Sequence, residues 1–230
     1  MFLDGGGVIV LPDRGLVRDT LAELGIDVDA SAVSRAHYRA VRQLDLGQSA
    51  DSNPGGYLGT LCRALGVPAE RLADATRALS RLADRSVSGK VLWSEATPNA
   101  QQTIGALGRA GIAVLIVTNS DGHASENLRD AGICQTAPGA GATVTAVIDS
   151  ALVGSAKPDP EIFRIALQRA NVDPTSVVHV GDMVSTDVGG ARAAGIVPIH
   201  LDPRRCCRAH DHRHIRSLAS IWRHVAPPPN

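Results

Sequence analysis

Lysine is almost absent from this sequence. Of the 23 basic residues only Lys90 and Lys157 are lysines, and all the others are arginines. Arginine presents a planar fork of donors, whereas the compact ammonium group of lysine can lie between two anions. A lysine kept in a chain that otherwise uses arginine is a candidate for a specific chemical role, and Lys157 lies within one of the motifs considered below.

The sequence also lacks net charge, long apolar runs and a cysteine framework. Its 23 acidic residues balance the 23 basic ones, which excludes an overall field that would attract nucleic acid or an anionic membrane. No apolar run approaches the roughly 20 residues that span a bilayer, and the first residues do not resemble a signal peptide. The four cysteines do not match a secreted disulfide scaffold. We therefore expect a cytoplasmic protein with reduced thiols and with neither nucleic-acid nor membrane partners.

Cysteine and histidine are concentrated in the C-terminal tail. Cys206 and Cys207 are adjacent, and histidines alternate at positions 210, 212 and 214. Structural zinc sites usually take their ligands as spaced pairs. The spacing within the tail therefore predicts no zinc site.

Strand-like and helix-like segments alternate after residue 95. Short apolar segments predict strands at residues 112–117, 143–148, 177–180 and 196–201. Alternation of this kind is typical of an α/β core with a doubly wound parallel sheet, a Rossmann-like fold. Residues 12–95 instead carry apolar residues at helical spacings of three and four. We therefore predict a core domain of residues 1–11 and 96–230, with a helical domain of residues 12–95 inserted after the first strand.

The first ten residues, MFLDGGGVIV, form an apolar segment that breaks at Asp4 into three glycines. A short apolar run bounded by turn residues predicts a buried strand, with Asp4 at its carboxyl end. Ligands of open α/β sheets bind at that end, and the glycines allow the backbone to approach an anion or a metal closely. Asp-Gly is also a common turn dipeptide, so a turn-capping role for Asp4 stays open at this point.

Three later segments also place polar residues at the ends of predicted strands. Thr118 and Asn119 follow the strand in IAVLIVTNS, Lys157 lies in SAKPDPEIF, and Asp182 and Asp187 lie in VVHVGDMVSTD. The four motifs in this order resemble the haloacid-dehalogenase-like hydrolase superfamily, and the resemblance covers nearly the whole chain. The most specific motif is Gly-Asp-x-x-x-x-Asp followed by Gly-Gly-Ala-x-x-Ala-Gly. The resemblance implies that the helical domain is a cap and that the substrate is a small phosphorylated metabolite.

The resemblance also implies a metal site and a nucleophile. Asp4 would attack phosphorus and form an aspartyl-phosphate. Mg²⁺ prefers oxygen ligands and usually takes one or two carboxylates together with waters and substrate phosphate. By resemblance these ligands are Asp4, the backbone carbonyl of Gly6 and Asp182, with Asp187 as the second acidic residue of the motif.

Three further residues would contact the substrate. The hydroxyl of Thr118 and a backbone amide nearby, at Asn119, would bind phosphate oxygens. Lys157 would neutralise charge on both the nucleophile and the phosphate. The resemblance therefore predicts that Lys157 takes part in both binding and catalysis.

Gly6 is the main departure from the family pattern. Phosphatases of the family usually carry a second aspartate at this position, which acts as the general acid and then as the general base. General acid-base catalysis contributes about 10²–10⁴-fold to rate. Asp121, His123 or a residue of the cap could replace it, as could a substrate whose leaving group needs no proton.

Two other functional interpretations stay open because of Gly6. The dehalogenase and phosphonatase branches also lack the second aspartate; the acidic pair Asp182 and Asp187 argues against the metal-free dehalogenases, and Lys90 is the candidate Schiff-base lysine for a phosphonatase. The other interpretation is a regulatory module that binds phosphate and metal but turns over poorly. The sequence allows either a monomer or a homodimer.

Overall fold

Six parallel strands form the main sheet of the computed structural model, which describes residues 1–47 and 55–225. The strands of the described chain are β1 (Phe2–Leu3), β2 (Val10–Pro12), β3 (Trp93–Ala96), β4 (Leu115–Thr118), β5 (Cys134–Gln135), β6 (Ala142–Thr143), β7 (Ala146–Asp149), β8 (Val178–Gly181), β9 (Val197–Leu201) and β10 (Arg213–Ile215). The main sheet has the order β10-β9-β8-β1-β4-β7, and each adjacent pair is parallel. The predicted α/β fold with a parallel sheet is confirmed.

The strand order reverses beside β1. From β1 the chain proceeds outward through β4 to β7, returns to β8 on the other side of β1, and then continues to β9 and β10. Ligands of open α/β sheets bind at such a switch point, beyond the carboxyl ends of the strands. Asp4 follows β1 and Asp182 follows β8, so these two carboxylates flank the switch point.

Helices connect the strands. In chain order they are α1 (Arg14–Ala22), α2 (Val33–Asp45), α3 (Gly56–Ala64), α4 (Leu72–Ala83), α5 (Arg85–Ser88), α6 (Ala100–Arg109), α7 (Ala124–Asp130), α8 (Ser150–Val153), α9 (Pro160–Ala170) and α10 (Gly189–Ala193). Helix α9 begins at a favourable capping sequence, because the Asp159 side chain accepts a hydrogen bond from the Glu161 amide and Pro160 occupies the first turn. Phe163 of α9 is fully buried in a core that includes Phe2 of β1, which anchors the helix beneath the site.

Contacts divide the chain into two units, Met1–Val10 with Ala96–Asn230 and Leu11–Glu95. The opening segment of the first unit ends at Val10, one residue before the boundary predicted after residue 11. Helices α1–α5 lie in the second unit, which has its own apolar core around Val17, Leu61 and Leu79. That this unit serves as a cap stays a prediction.

Short strands account for the differences from the sequence prediction. The predicted strand at 143–148 is divided between β6 and β7, the predicted all-helical segment ends in β3, and β10 lies in the tail where no strand was predicted. Strands of two to four residues are too short to show an alternation of apolar and polar residues. Their position in the chain is set by pairing with neighbouring strands, which the local sequence does not reveal. Among the described residues, no helix has both the length and the apolar character to cross a membrane.

Candidate active site

Lys157 joins two aspartates that are remote from it in sequence. Its Nζ lies 2.6 Å from Asp4 Oδ1 and 2.6 Å from Asp187 Oδ1. All three residues are buried. Breaking a buried ion pair by removal of one partner is costly, because the remaining charge has lost its water. The loop before α9, the end of β1 and the turn after β8 are therefore held together by this ammonium group.

Asp182 brings a third carboxylate to the same place. One carboxylate oxygen from each of Asp4, Asp182 and Asp187 lies within 4.8 Å of the others, and all three residues are buried. Three buried carboxylates around one lysine leave an excess of negative charge. Clustered carboxylate oxygens are the donor set that Mg²⁺ prefers, so these residues fit a divalent cation.

The surroundings shift the pKa values of Asp4 and Asp187 in opposite directions. Burial, together with the nearby charges of Asp187 and Asp182, raises the pKa of Asp4 to about 7, although Lys157 opposes the rise. Burial would raise the pKa of Asp187 as well, but Lys157 and the hydrogen bond from His179 outweigh it and hold that pKa far below its usual value. Burial alone would lower the pKa of Lys157, but Asp187 and Asp4 raise it, so the lysine is charged.

Asp187 is oriented by its own turn and by His179. A π-helical turn, Val184–Val188, carries Asp187, and such turns are frequent at functional sites. The Met183 amide donates to Asp187 Oδ2 at 3.1 Å, and His179 Nε2 donates to Asp187 Oδ1 at 2.9 Å. His179 is fully buried, with its ring edge-to-face against Phe163 at 4.8 Å. His179 was not among the residues predicted for the site, although a histidine within the apolar strand VVHV is a recognisable signal.

Gly181 allows Asp187 to approach the end of β8. A Cβ atom on residue 181 would lie 2.1 Å from Asp187 Cγ. We expect Gly181→Ala to displace Asp187 and to lower the free energy of unfolding by about 1–3 kcal/mol, because the interior is overpacked. Chemical denaturation measures this loss.

Gly108→Ala is the matched control for that substitution. Gly108 is exposed within α6, and a Cβ there would meet nothing within 4 Å. The control is expected to be neutral or to gain about 0.5–1 kcal/mol, since alanine favours a helix over glycine. Equal stability of the two variants would contradict the steric role of Gly181.

Asn119 holds the backbone of Lys157. The Lys157 amide donates to Asn119 Oδ1 at 2.8 Å, and Asn119 Nδ2 donates to the Lys157 carbonyl at 2.9 Å. The Asn119 side chain therefore positions the lysine loop; a phosphate contact through the backbone amide of Asn119 stays a prediction. Gly190 supports the same loop, because a Cβ there would lie 3.0 Å from the Pro158 carbonyl oxygen.

Thr118 lies beside the glycine loop that follows Asp4. Its Oγ1 is 2.8 Å from the position that a Cβ on Gly5 would take, so the absence of a side chain at residue 5 lets the hydroxyl approach the loop. The Gly5 carbonyl accepts hydrogen bonds from the amides of Ile9 and Val10 at 3.0 and 3.1 Å. The turn at Gly6 is thereby closed, and its role as a metal ligand stays a prediction.

Asp149 is a buried residue that was not among those predicted for the site. It ends β7 in register with Thr118, and its carboxylate accepts hydrogen bonds from the amides of Gly122, Ala124 and Ala151 at 3.0–3.1 Å. These bonds fix the loop after Thr118. An aspartate at the end of an apolar strand was the available signal.

The candidates for a replacement acid lie on the surface. Asp121 and His123 are both more than half exposed at their side chains, and they face each other at 3.6 Å. Lys90, the candidate Schiff-base lysine, is also exposed. A catalytic role for any of the three stays a prediction.

Comparisons with known proteins agree with the motifs. A family model described as haloacid dehalogenase-like hydrolase matches residues 59–195. The haloacid dehalogenase-like hydrolase domain-containing protein 3 of Mus musculus is 33% identical over 137 residues, which make up 58% of this chain and 49% of that protein. The match thus spans about half the length of this curated relative. Phosphoserine phosphatase of Thermus thermophilus is 34% identical over 106 residues, 46% of this chain and 40% of that enzyme.

A solved structure shares the fold over nearly the whole chain. The putative HAD-hydrolase YfnB of Bacillus subtilis, bound to magnesium, matches with a TM-score of 0.63 and 18% identity over 96% of both chains. At this identity the likeness shows the fold.

Proposed function

The chain belongs to the haloacid dehalogenase-like hydrolases, and we propose that it is a Mg²⁺-dependent phosphatase that acts on a small phosphorylated metabolite. The observation that carries the proposal is the bridge from Lys157 Nζ to Asp4 and Asp187, with the Asp182 carboxylate close by, at the switch point of the sheet. A phosphoserine phosphatase and a glyceraldehyde 3-phosphate phosphatase among the relatives support a phosphate ester as substrate.

Asp4 is the nucleophile in this proposal. Its carboxylate forms a bond to phosphorus while the bond to the leaving oxygen breaks, and water later hydrolyses the aspartyl-phosphate. Burial limits water around Asp4, and the lysine keeps one of its oxygens in a fixed place. A fixed carboxylate beside the phosphate lowers the entropic cost of the attack.

The remaining residues bind and neutralise the phosphate. Lys157 offsets the repulsion between the Asp4 carboxylate and the phosphate, and Thr118 donates its hydroxyl to a phosphate oxygen. Asp187 and Asn119 keep the lysine in place. When bound by Asp4, Asp182 and the Gly6 carbonyl, Mg²⁺ would screen the negative charge of phosphate and carboxylates.

Phosphate release from an aryl phosphate, with and without Mg²⁺, tests the proposal. An aryl leaving group needs little proton donation, so the absence of an aspartate at position 6 does not prevent release. Metal-dependent release supports a phosphatase, and a panel of phosphorylated metabolites then identifies the natural substrate. Binding of phosphate without release from any member of the panel would instead support the regulatory module, and halide release from a 2-haloacid would support a dehalogenase.

The raised pKa of Asp4 predicts an unusual pH dependence. A carboxylic acid with a pKa of about 7 is protonated below that pH, and a protonated nucleophile cannot attack. At limiting Mg²⁺ we expect kcat/KM to fall about tenfold for each pH unit below 7. A bound cation favours the ionised carboxylate, so saturating Mg²⁺ should move this acidic limb to lower pH. If kcat/KM falls at the same pH at limiting and at saturating Mg²⁺, the result would contradict the assignment of Asp4 as the nucleophile and metal ligand.

A further inference from the structure

Three histidines and one cysteine converge at the edge of the sheet remote in sequence from Asp4. His200 of β9 and His214 of β10 are paired in the parallel register, so their side chains lie on the same face of the sheet. His212 stacks on His214 with ring centroids 4.4 Å apart. One ligand atom each from His200, Cys207, His212 and His214 lies within 4.8 Å of the others.

One nitrogen of each histidine ring already has a hydrogen-bond partner in the protein. His200 Nε2 lies 3.1 Å from the Asp182 carbonyl, His212 Nδ1 lies 2.7 Å from the Asp211 carboxylate, and His214 Nε2 lies 3.1 Å from the Ala209 carbonyl. Carbonyl and carboxylate oxygens only accept hydrogen bonds, so each of these ring nitrogens donates. The opposite nitrogen of each neutral ring therefore carries a lone pair. Histidines that bind metals have this same outer hydrogen bond to a carbonyl or a carboxylate.

The lone pairs face one another at short distance. His200 Nδ1 lies 3.2 Å from His212 Nε2, and Cys207 Sγ lies 3.8 Å from the same nitrogen. Two facing lone pairs repel unless a proton or a metal ion lies between them. Ligands of tetrahedral zinc, at about 2.0–2.3 Å from the ion, lie roughly 3.3–3.6 Å from each other. The two distances are close to this range.

The segment that carries Cys207 is held in place by the protein itself. The Asp202 carboxylate at the end of β9 accepts hydrogen bonds from the amides of Cys206 and Cys207 at 2.9 and 2.8 Å. Arg192 of α10 binds the Asp211 carboxylate at 2.7 Å. Asp211, which accepts the hydrogen bond from His212, is therefore held in place as well. The thiol and the three rings are therefore positioned before any ligand binds.

We propose that His200, Cys207, His212 and His214 form a binding site for Zn²⁺ or a similar borderline transition-metal ion. Imidazole nitrogen and thiolate sulfur select such ions, whereas the carboxylates around Lys157 select Mg²⁺. Four protein ligands complete a tetrahedron, which is typical of a structural site. The ion ties β9, β10 and the segment between them together, and through His200 it steadies the backbone carbonyl of Asp182.

His200 lies outside the tail, which explains why the spacing of residues in the tail predicted no zinc site. His200 lies in a strand seven residues before Cys207, and only the pairing of β9 with β10 brings it beside His214. Ligand spacing along the tail does not contain this pairing.

Titration of the metal-free protein with Co²⁺, in the presence of excess Mg²⁺, tests the proposal. Tetrahedral cobalt with a thiolate ligand gives intense visible bands and a sulfur-to-cobalt charge-transfer band, whereas cobalt among carboxylates gives only weak bands. We expect one equivalent to produce the intense spectrum, Zn²⁺ to displace it, and Cys207→Ser and His212→Ala to lose it. The neighbouring exposed residues supply controls, since Cys206→Ser and His210→Ala should keep the spectrum. Retention of the charge-transfer band in Cys207→Ser, or its absence from the wild type, would overturn the proposal.

A measurement on the unaltered chain covers the case in which a variant does not fold. Zn²⁺ should slow the labelling of Cys207 by a thiol reagent, with little effect on the exposed Cys206, as mapped by mass spectrometry. At about 100 times the Kd, zinc should raise the Tm by roughly 5–10 °C. Equal labelling of Cys207 with and without zinc would contradict the site. Neither readout depends on catalysis, so both are independent of the proposed phosphatase activity.

Discussion

Asp4→Asn is expected to reduce metal-dependent phosphate release by at least about 10³-fold, because removal of a covalent nucleophile eliminates the reaction path that depends on it. The amide has nearly the shape of the carboxylate but carries no charge, so it neither attacks phosphorus efficiently nor pairs with Lys157. Initial rates with an aryl phosphate at saturating Mg²⁺ measure the loss.

Asp121→Asn is the control for that substitution. It makes the same chemical change at an exposed aspartate of the loop after β4 and should keep activity within a few-fold of wild type. Circular dichroism establishes that both variants fold. A folded Asp4→Asn protein with the rate of the wild type would refute the aspartyl-phosphate route. If Asp121→Asn keeps its activity on the aryl phosphate but loses it on an alkyl phosphate, whose leaving group needs a proton, Asp121 is the replacement acid.

Lys157→Met is expected to affect both activity and stability. Removal of the ammonium group leaves Asp4 and Asp187 buried without their cation, a change that typically costs about 3–5 kcal/mol. Phosphate release should fall about 10²–10³-fold as the charge that offsets the phosphate disappears. Denaturation and initial rates at pH 7 measure the two effects.

The loss of stability in this variant should depend on pH in a defined direction. Lys157 lowers the pKa of both carboxyls, so without it we expect both pKa values to rise and the folded variant to bind more protons at intermediate pH. The free energy of unfolding of the variant then falls as the pH rises through the carboxyl pKa values of the unfolded chain. It increases again on acidification, as the buried carboxyls become protonated. The difference from the wild type should therefore shrink on acidification.

Lys90→Met provides the matched control, since Lys90 is the other lysine of the chain and is exposed. It is expected to keep both stability and activity. A similar loss in the Lys90 variant would favour the phosphonatase interpretation, and a Lys157 variant as stable as the wild type would contradict the role of the bridge.

The sequence allowed the meeting of Asp4, Lys157 and Asp187 to be predicted, because the carboxyl ends of parallel strands share one edge of a sheet. It did not reveal which side chains hold them there. The histidine within the apolar strand was a visible signal, but its contact with Asp187 depends on the π-helical turn that follows. Asn119 was predicted near phosphate, yet its side chain binds the Lys157 backbone, a contact over 38 positions that no local pattern contains. The same limit applies to β10, because its three residues form a strand only through their pairing with β9.

The long sequence separation within the lysine bridge bears on synthesis of the protein. Lys157 is synthesised 153 positions after Asp4, and Asp187 follows after a further 30. At about 5–20 residues per second the delay is on the order of 10–40 s. During that time Asp4 lacks both the ammonium group and the second carboxylate of the bridge, so the bridge forms only after Asp187 has been synthesised.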